Sequence, residues 1–293
     1  MLPLRTRRQT TIAKSATVTG FGLWSGKDIC LEFRPAEPNS GIVFVRSDLG
    51  PDARVPARVE HRIESPRRTT LSANGVSVEM VEHVMAALAG LRIDNCEIHV
   101  DAPEMPGMDG SSLAFVQALK SASIVQQDAS RAFLKITEVT RVGDDECWIE
   151  ARPAMPGVFD LLYRLDFGND NPIGRESHRL CVDADSFENE LASARTFILE
   201  HEAQWLQQQG LAQRVTAKDV LVFGPEGVLD NELRFENECV RHKMLDVVGD
   251  LALCDYDLHG HFVAYRSGHR LNATLLEVLL AECQIQGDLR ASA

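Results

Sequence analysis

Apolar and polar positions along this chain follow two periods, and the order in which those periods succeed each other occurs twice. Ser15–Gly22, Asp28–Arg34 and Asn95–Val100 alternate residue by residue, which predicts half-buried strands, and Ile42–Arg46 is a short apolar run read as a further strand. Trp24-Ser-Gly-Lys27 between the first two is a turn by composition, as is Pro38-Asn-Ser-Gly41. Met80–Leu91 is apolar almost all the way round, so it predicts a buried helix. Asp109-Gly-Ser111 is read as the N-cap of a second helix, Ser112–Ser121. From about Ala132 the same order returns. Strands reach Pro153 and run from Gly157 to Phe167. A loop rich in Asn, Gly and Asp covers Gly168–Ser177, then come a helix around 240–250, a strand His261–Tyr265 and a further helix.

The residues echo this repeat. Val81-Glu-His-Val-Met-Ala-Ala-Leu-Ala-Gly90 aligns with Val240-Arg-His-Lys-Met-Leu-Asp-Val-Val-Gly249 on valine, histidine, methionine and glycine. Glu32-Phe-Arg-Pro-Ala36 aligns with Glu150-Ala-Arg-Pro-Ala154. The chain therefore reads as two diverged copies of one strand–strand–helix–strand–helix unit, an α+β fold with copies at 1–126 and 132–293 meeting at the polar stretch Ile124–Arg131. The prolines lie 118 residues apart and the histidines 159, so the second copy holds 41 more residues between its strand and its helix. Most of that length is expected at about 194–223 as a βαβ pattern: strand-like Arg195–Leu199, helix Glu200–Gln209 and strand Val220–Phe223. A ligand wall and extra core packing both fit such an apolar insert.

On a helix, His242, Asp246 and Asp250 recur every four residues and share a face. Imidazole and carboxylate one turn apart are spaced to hold a divalent cation. If the two related helices meet, His83 joins His242 and Asp246 as a third ligand, the count of a catalytic zinc site with its fourth position open. Glu82, next to His83 on an apolar helix, is then placed as general base, because a lone buried carboxylate costs several kcal/mol without a partner. His269, between a strand and a helix, is a candidate general acid or oxyanion stabiliser, with Asp250 keeping its ring charged. The other six histidines have no usable spacing and are read as structural.

Bulk properties fit a globular enzyme: 293 residues, 44% hydrophobic and 25% charged. A net charge of −13 argues against a nucleic-acid or anionic membrane surface as partner. The seven cysteines are scattered, odd in number and lack Cys-x-x-Cys, which points to a reduced compartment rather than a disulfide framework. Arg5, Arg7 and Arg8 are followed by no apolar segment, so no signal peptide is expected. The longest apolar run, Val84–Leu91, is too short to span a bilayer. A cytoplasmic monomer without stable membrane insertion is the expectation.

Five segments in order carry a resemblance: Val81-Glu-His-x-x-Ala-Ala-Leu-Ala-Gly90, Ala102-Pro-Glu-Met-Pro-Gly-Met-Asp-Gly-Ser111, Ala194-Arg-Thr-Phe197, Val240-Arg-His-Lys-Met-Leu-Asp246 and Ser267-Gly-His269. Together they closely resemble the zinc-dependent UDP-3-O-acyl-N-acetylglucosamine deacetylases of lipid A biosynthesis. The resemblance implies two related α+β domains with their helices sandwiched between two sheets, a β-α-α-β arrangement. It also implies hydrolysis of the acetamide of a UDP-linked acylated amino sugar. It assigns His83, His242 and Asp246 to zinc (Fe2+ could take the same donors), Glu82 to the general base, and His269 with Asp250 to the acid. It further implies that the Thr196 hydroxyl meets the oxyanion, that Lys243, Arg266 and Phe167 contact the nucleotide-sugar with Phe167 on uracil, and that Phe197 begins the acyl-chain passage. Three positions depart from the family pattern: Trp24 where a histidine is usual, Arg214-Val215 where many relatives have a glycine pair, and Cys147 where some have lysine. Arg214-Val215 is expected to narrow the acyl passage. A zinc amidohydrolase acting on a different N-acylated sugar is the alternative these departures motivate. A binding module that kept the fold without turnover is a third reading.

Overall fold

The computed structural model describes residues 7–254 and 256–291, with side chains described up to residue 282. In the first half, alternation yields β1 (Arg8–Ile12), β2 (Ala16–Phe21), β3 (Asp28–Pro35), β4 (Ile42–Arg46) and β5 (Arg54–Pro56). Three short strands follow, β6 (Arg62–Ile63), β7 (Thr70–Ala73) and β8 (Val76–Glu79), then α1 (Glu82–Gly90), β9 (Cys96–Val100) and α2 (Leu113–Ser121). The second half begins with β10 (Ile124–Ser130), β11 (Phe133–Lys135), β12 (Thr140–Gly143), β13 (Trp148–Arg152), β14 (Phe159–Asp166) and β15 (Arg175–Cys181). It continues through α3 (Ala184–Glu190), β16 (Phe197–Leu199), α4 (Glu200–Gln208), β17 (Leu221–Gly224), β18 (Gly227–Val228), α5 (Glu238–Leu251), β19 (Asp257–Tyr265) and α6 (His269–Ala291).

Two sheets share one topology. The first runs β2-β3-β9-β4-β5 and the second β12-β13-β19-β14-β15. In each, the last strand of the unit enters the centre, antiparallel to one neighbour (β3, β13) and parallel to the other (β4, β14). The inward faces supply the core: Ile29, Leu31 and Phe33 from β3, Cys96, Ile98 and Val100 from β9, and Leu161, Tyr163 and Leu165 from β14 are all buried. Helices α1 and α5 pack on each other in the middle, α2 lies against α1 and the first sheet, and α6 against α5 and the second. The molecule is an α+β sandwich with its helices inside. That explains why α1 carries no polar stripe: residues 82–88 are all buried.

The helices α1 and α5 touch backbone to backbone. A Cβ added at Gly249 would lie 2.1 Å from the Glu82 carbonyl oxygen, so only glycine allows this crossing. The aligned Gly90 serves a different neighbour, since a Cβ there would meet the Phe187 ring at 2.1 Å. Each half also carries a small three-stranded sheet between its main sheet and its central helix: β6-β7-β8 in the first and β16-β17-β18 in the second. β16 and β17 pair in parallel across α4.

Several elements differ from the sequence pattern. The polar stretch where the two copies are expected to meet is itself a strand, β10, antiparallel to β1. Its side chains are exposed or half-buried throughout, so it carries no apolar alternation to read. β15 begins inside the expected Gly168–Ser177 loop, and it too presents no buried face. α2 starts at Leu113; Asp109 accepts from Ser111 N–H and Oγ–H, and Ser111 Oγ, not Asp109, accepts the Leu113 N–H at the helix start. Among the described residues, no helix is long and apolar enough to cross a membrane.

Candidate active site

Four segments converge on a cleft of about 1280 Å³, above the ~300–1,000 Å³ usual for sites of drug-sized ligands. The start of α1 brings Glu82 and His83, and α5 brings His242, Lys243 and Asp246. The strand entering the second small sheet brings Thr196 and Phe197, and the junction of β19 with α6 brings Arg266 and His269. Two of these junctions use left-handed backbone at non-glycine residues: Met80 (φ 59°) before α1 and Arg266 (φ 50°) before α6. Such conformations cost about 1–3 kcal/mol and turn the chain sharply enough to aim Glu82 and His269 inward.

His83, His242 and Asp246 offer ligand atoms that all lie within 4.8 Å of one another, and all three side chains are buried. Asp246 Oδ1 stands 3.4 Å from His242 Nε2 and 3.6 Å from His83 Nε2. Those separations are long for hydrogen bonds but close to the ~3.3 Å edge of a tetrahedron with ligand bonds of about 2.0 Å. Oδ1 is buried and has no hydrogen-bond partner among the described residues, whereas Oδ2 accepts from Lys243 Nζ at 2.6 Å. Burial alone would raise Asp246, but Lys243 and His242 outweigh it and hold the carboxyl well below the usual range, hence anionic. Burial lowers His242 to about 4, so its ring is neutral. His242 Nδ1–H donates to the Ala194 carbonyl at 3.1 Å, which fixes the tautomer and leaves the Nε2 lone pair facing Asp246 Oδ1. Two imidazole nitrogens and one anionic oxygen with no hydrogen-bond partner among the described residues fit a divalent cation of the zinc type.

The acid–base groups stand beside this triad. Glu82 Oε2 accepts the Thr69 backbone N–H at 3.0 Å, leaving Oε1 turned to His269 Nε2, 4.0 Å away. Burial pushes the Glu82 carboxyl above its ordinary range, against the pull of His269 and His83. His269 Nδ1–H donates to Asp250 Oδ2 at 2.9 Å. Burial works against the imidazolium charge, but Asp250 outweighs it and His269 is raised to about 9. Asp250 lies behind His269, its oxygens also accepting from Thr69 Oγ1 (2.6 Å) and Asn272 Nδ2 (2.7 Å). Sequence patterning does not single out Thr69 or Asn272. Thr69 precedes a four-residue strand in a stretch without periodicity, and only its neighbours in space distinguish it.

The segment Ala194-Arg-Thr-Phe197 has one task per residue. Ala194 O orients His242, and Arg195 forms a buried ion pair with Glu238 on the first turn of α5 (2.8 Å). Thr196 N–H donates to Gly110 O (2.8 Å), and Phe197 stacks edge-on to both His242 and Phe167. Phe167 is 39% exposed at the mouth of the cleft. Lys243 faces the cleft with its ammonium already on Asp246. The Arg266 guanidinium is half exposed, 3.6 Å from Glu146.

The three departures resolve differently. Trp24 lines the cleft with the Arg68 guanidinium over its ring, 4.7 Å from the centroid. Cys147 is half-buried on the same lining. Arg214, expected to narrow the passage, turns onto the outer hairpin instead: it donates to Gly26 O and Asp28 Oδ1 and covers the Phe21 ring, because those are the acceptors its exposed side chain reaches. Val215, not Arg214, forms that part of the lining.

An α+β sandwich with a His₂Asp triad, a buried glutamate and a charged histidine around one cleft defines a mononuclear metal hydrolase class of site. The sequence places it further. The family model described as "UDP-3-O-acyl N-acetylglycosamine deacetylase" (LpxC) matches residues 9–281, and the chain belongs to that family. It is 42% identical over 279 residues to the UDP-3-O-acyl-N-acetylglucosamine deacetylase of Haemophilus influenzae (strain 86-028NP), covering 94% of this chain and 90% of the relative. Enzymes of the same name from Histophilus somni (strain 129Pt) and Pasteurella multocida (strain Pm70) are each 40% identical, over 93% and 94% of this chain and 90% of each relative.

Proposed function

We propose that this protein hydrolyses the N-acetyl group of UDP-3-O-acyl-N-acetylglucosamine, releasing acetate and UDP-3-O-acyl-glucosamine for lipid A biosynthesis, with zinc as its metal. We read the chain as two copies of one unit, 1–126 and 132–293, that close on each other to form the site, with the element at about 194–223 inserted in the second. The observation that carries the chemistry is the facing of Glu82 Oε1 and His269 Nε2 at 4.0 Å beside a carboxylate oxygen with no hydrogen-bond partner among the described residues.

His83, His242 and Asp246 would hold a divalent cation, which when bound would supply Lewis acidity to the acetamide carbonyl and to the attacking water. Glu82 Oε1 takes a proton from that water as its oxygen adds to the carbonyl carbon. The His269 imidazolium and the Thr196 hydroxyl face the oxygen on which negative charge develops. As the C–N bond breaks, a proton from Glu82 or His269 passes to the sugar nitrogen, and acetate and free amine leave. Lys243 holds Asp246 in place and, with Arg266 and Phe167, bounds the side of the cleft assigned to the nucleotide. Phe197, Val215 and Trp24 bound the apolar side assigned to the acyl chain.

Incubating the purified protein with UDP-3-O-acyl-N-acetylglucosamine tests this. Equal amounts of acetate and sugar amine, with little from UDP-N-acetylglucosamine lacking the 3-O-acyl chain, are expected. Release from some other N-acylated sugar but not from this one contradicts the substrate.

A further inference from the structure

We propose that Thr69 is a positioning residue that holds the general base and the acid's partner in one register: its backbone N–H fixes Glu82 Oε2 and its hydroxyl fixes Asp250 Oδ1. The two contacts measure 3.0 and 2.6 Å. Thr69, Glu82 and Asp250 are 1%, 2% and 1% exposed, so water does not compete for either bond. Glu82 and Asp250 belong to different halves of the molecule, on α1 and α5, and Thr69 comes from neither helix. It stands at the edge of the small sheet β6-β7-β8, whose register is set by antiparallel pairing. A single residue at the edge of that sheet therefore decides which carboxylate oxygen each partner turns to the cleft. With Oε2 taken, Glu82 presents Oε1. With Oδ1 taken, Asp250 presents Oδ2 to His269 and Asn272.

Asn272 alone does not set this geometry. Its amide and the His269 ring share the single oxygen Oδ2, so neither prevents the carboxylate from rotating about that atom. The Thr69 hydroxyl on the opposite oxygen does. Partners of this kind, behind the groups that touch substrate, typically change activity about 10–100-fold when removed.

The neighbour Thr70 provides the control. It is also buried (2%), and its hydroxyl has no hydrogen-bond partner among the described residues. Thr69→Val and Thr70→Val remove the same group from adjacent positions, one just before β7 and one at its first residue.

This role rests on the amide hydrolysis proposed above, so the test includes a readout that needs no substrate. In zinc-loaded full-length protein with 15N-labelled histidine, the His269 Nδ1–H proton shared with Asp250 is followed by NMR, alongside kcat, KM, zinc content and thermal melting. Thr69→Val is expected to shift or broaden that resonance and to lower kcat about 10–100-fold with KM within about 3-fold and zinc content unchanged. Thr69→Ser is expected to restore most of both, and Thr70→Val to match the unmodified protein. An unmoved resonance in folded Thr69→Val, failure of serine to rescue, or an equal kcat loss in Thr70→Val overturns the role. If the unmodified protein releases no amine while the resonance responds to Thr69→Val and Thr69→Ser as expected, the substrate reading fails and the positioning role stands.

Discussion

Gly249 of α5 lies against the backbone carbonyl of Glu82 on α1, so close that a methyl group there would overlap it at 2.1 Å. The residue that sets the spacing of the two central helices thus touches the residue assigned as general base. The close crossing sets the separation of the candidate metal ligands on α1 and α5.

Gly249→Ala opposes two effects of unequal size. Alanine gains up to about 1 kcal/mol of helix propensity. The overlap is with backbone on both sides and cannot be relieved by a rotamer change, and overpacking of this kind costs about 1–3 kcal/mol or more. A net loss of stability is expected, together with weaker zinc binding, because His83 moves away from His242 and Asp246. Thermal melts and zinc titration check both; an alanine variant as stable and as tightly metalated as the parent contradicts that role of the crossing.

The His269–Asp250 pair makes a signed prediction about pH. His269 is raised to about 9 from an ordinary 6.5, so its contribution to stability is complete below about pH 6.5 and is lost as pH rises through about 9. The contribution is on the order of 3 kcal/mol. The proposed mechanism uses the same proton in turnover, so the alkaline limb of kcat is expected in this window. Asp250→Asn is expected to move that limb to lower pH and to flatten the stability change between pH 6.5 and 9. Profiles that superimpose with those of the parent contradict the pairing.

Asp246 is buried and Lys243 half-buried, and the ammonium donates to Oδ2 at 2.6 Å. Lys243→Met leaves the carboxylate without its cation, which typically costs about 3–5 kcal/mol at a buried site. Denaturant melts of metal-free protein are expected to show that loss, and added zinc to recover part of it by supplying positive charge on the other oxygen. A variant indifferent to zinc contradicts the assignment of Asp246 as a ligand.

Arg195 and Glu238 form a pair that is 6% and 0% exposed, tying the segment that carries Thr196 to the first turn of α5. Glu238→Ala is expected to destabilise by about 3–5 kcal/mol and to lower kcat, since both Thr196 and the His242-orienting carbonyl of Ala194 lose their anchor. Thr196→Val keeps the anchor and removes only the hydroxyl, so it is expected to lower kcat about 10²–10³-fold with little change in melting temperature. Steady-state kinetics beside urea unfolding separates the two.

What the chain reveals before folding depends on periodicity. His242, Asp246 and Asp250 are legible because three residues at four-residue spacing commit to one helical face, and His83 because its helix repeats the same residues. The paired sheets are legible because β3, β9 and β14 each alternate between a core and an outer face. β10 and β15 are not, since neither buries a face, and a strand exposed on both sides has the composition of a loop. Thr69 is hidden for a different reason. Its partners stand 13 and 181 residues away in the chain, and a threonine before a short strand gives no sign of either.

The central claim is that a cation held by His83, His242 and Asp246 is required for hydrolysis of this amide. Chelating the purified protein and returning one equivalent of zinc, with amine release from UDP-3-O-acyl-N-acetylglucosamine as the readout, tests it most directly. Activity is expected to be lost on chelation, restored at one zinc per chain, and not restored in Asp246→Ala. Full activity in demonstrably metal-free protein would contradict it.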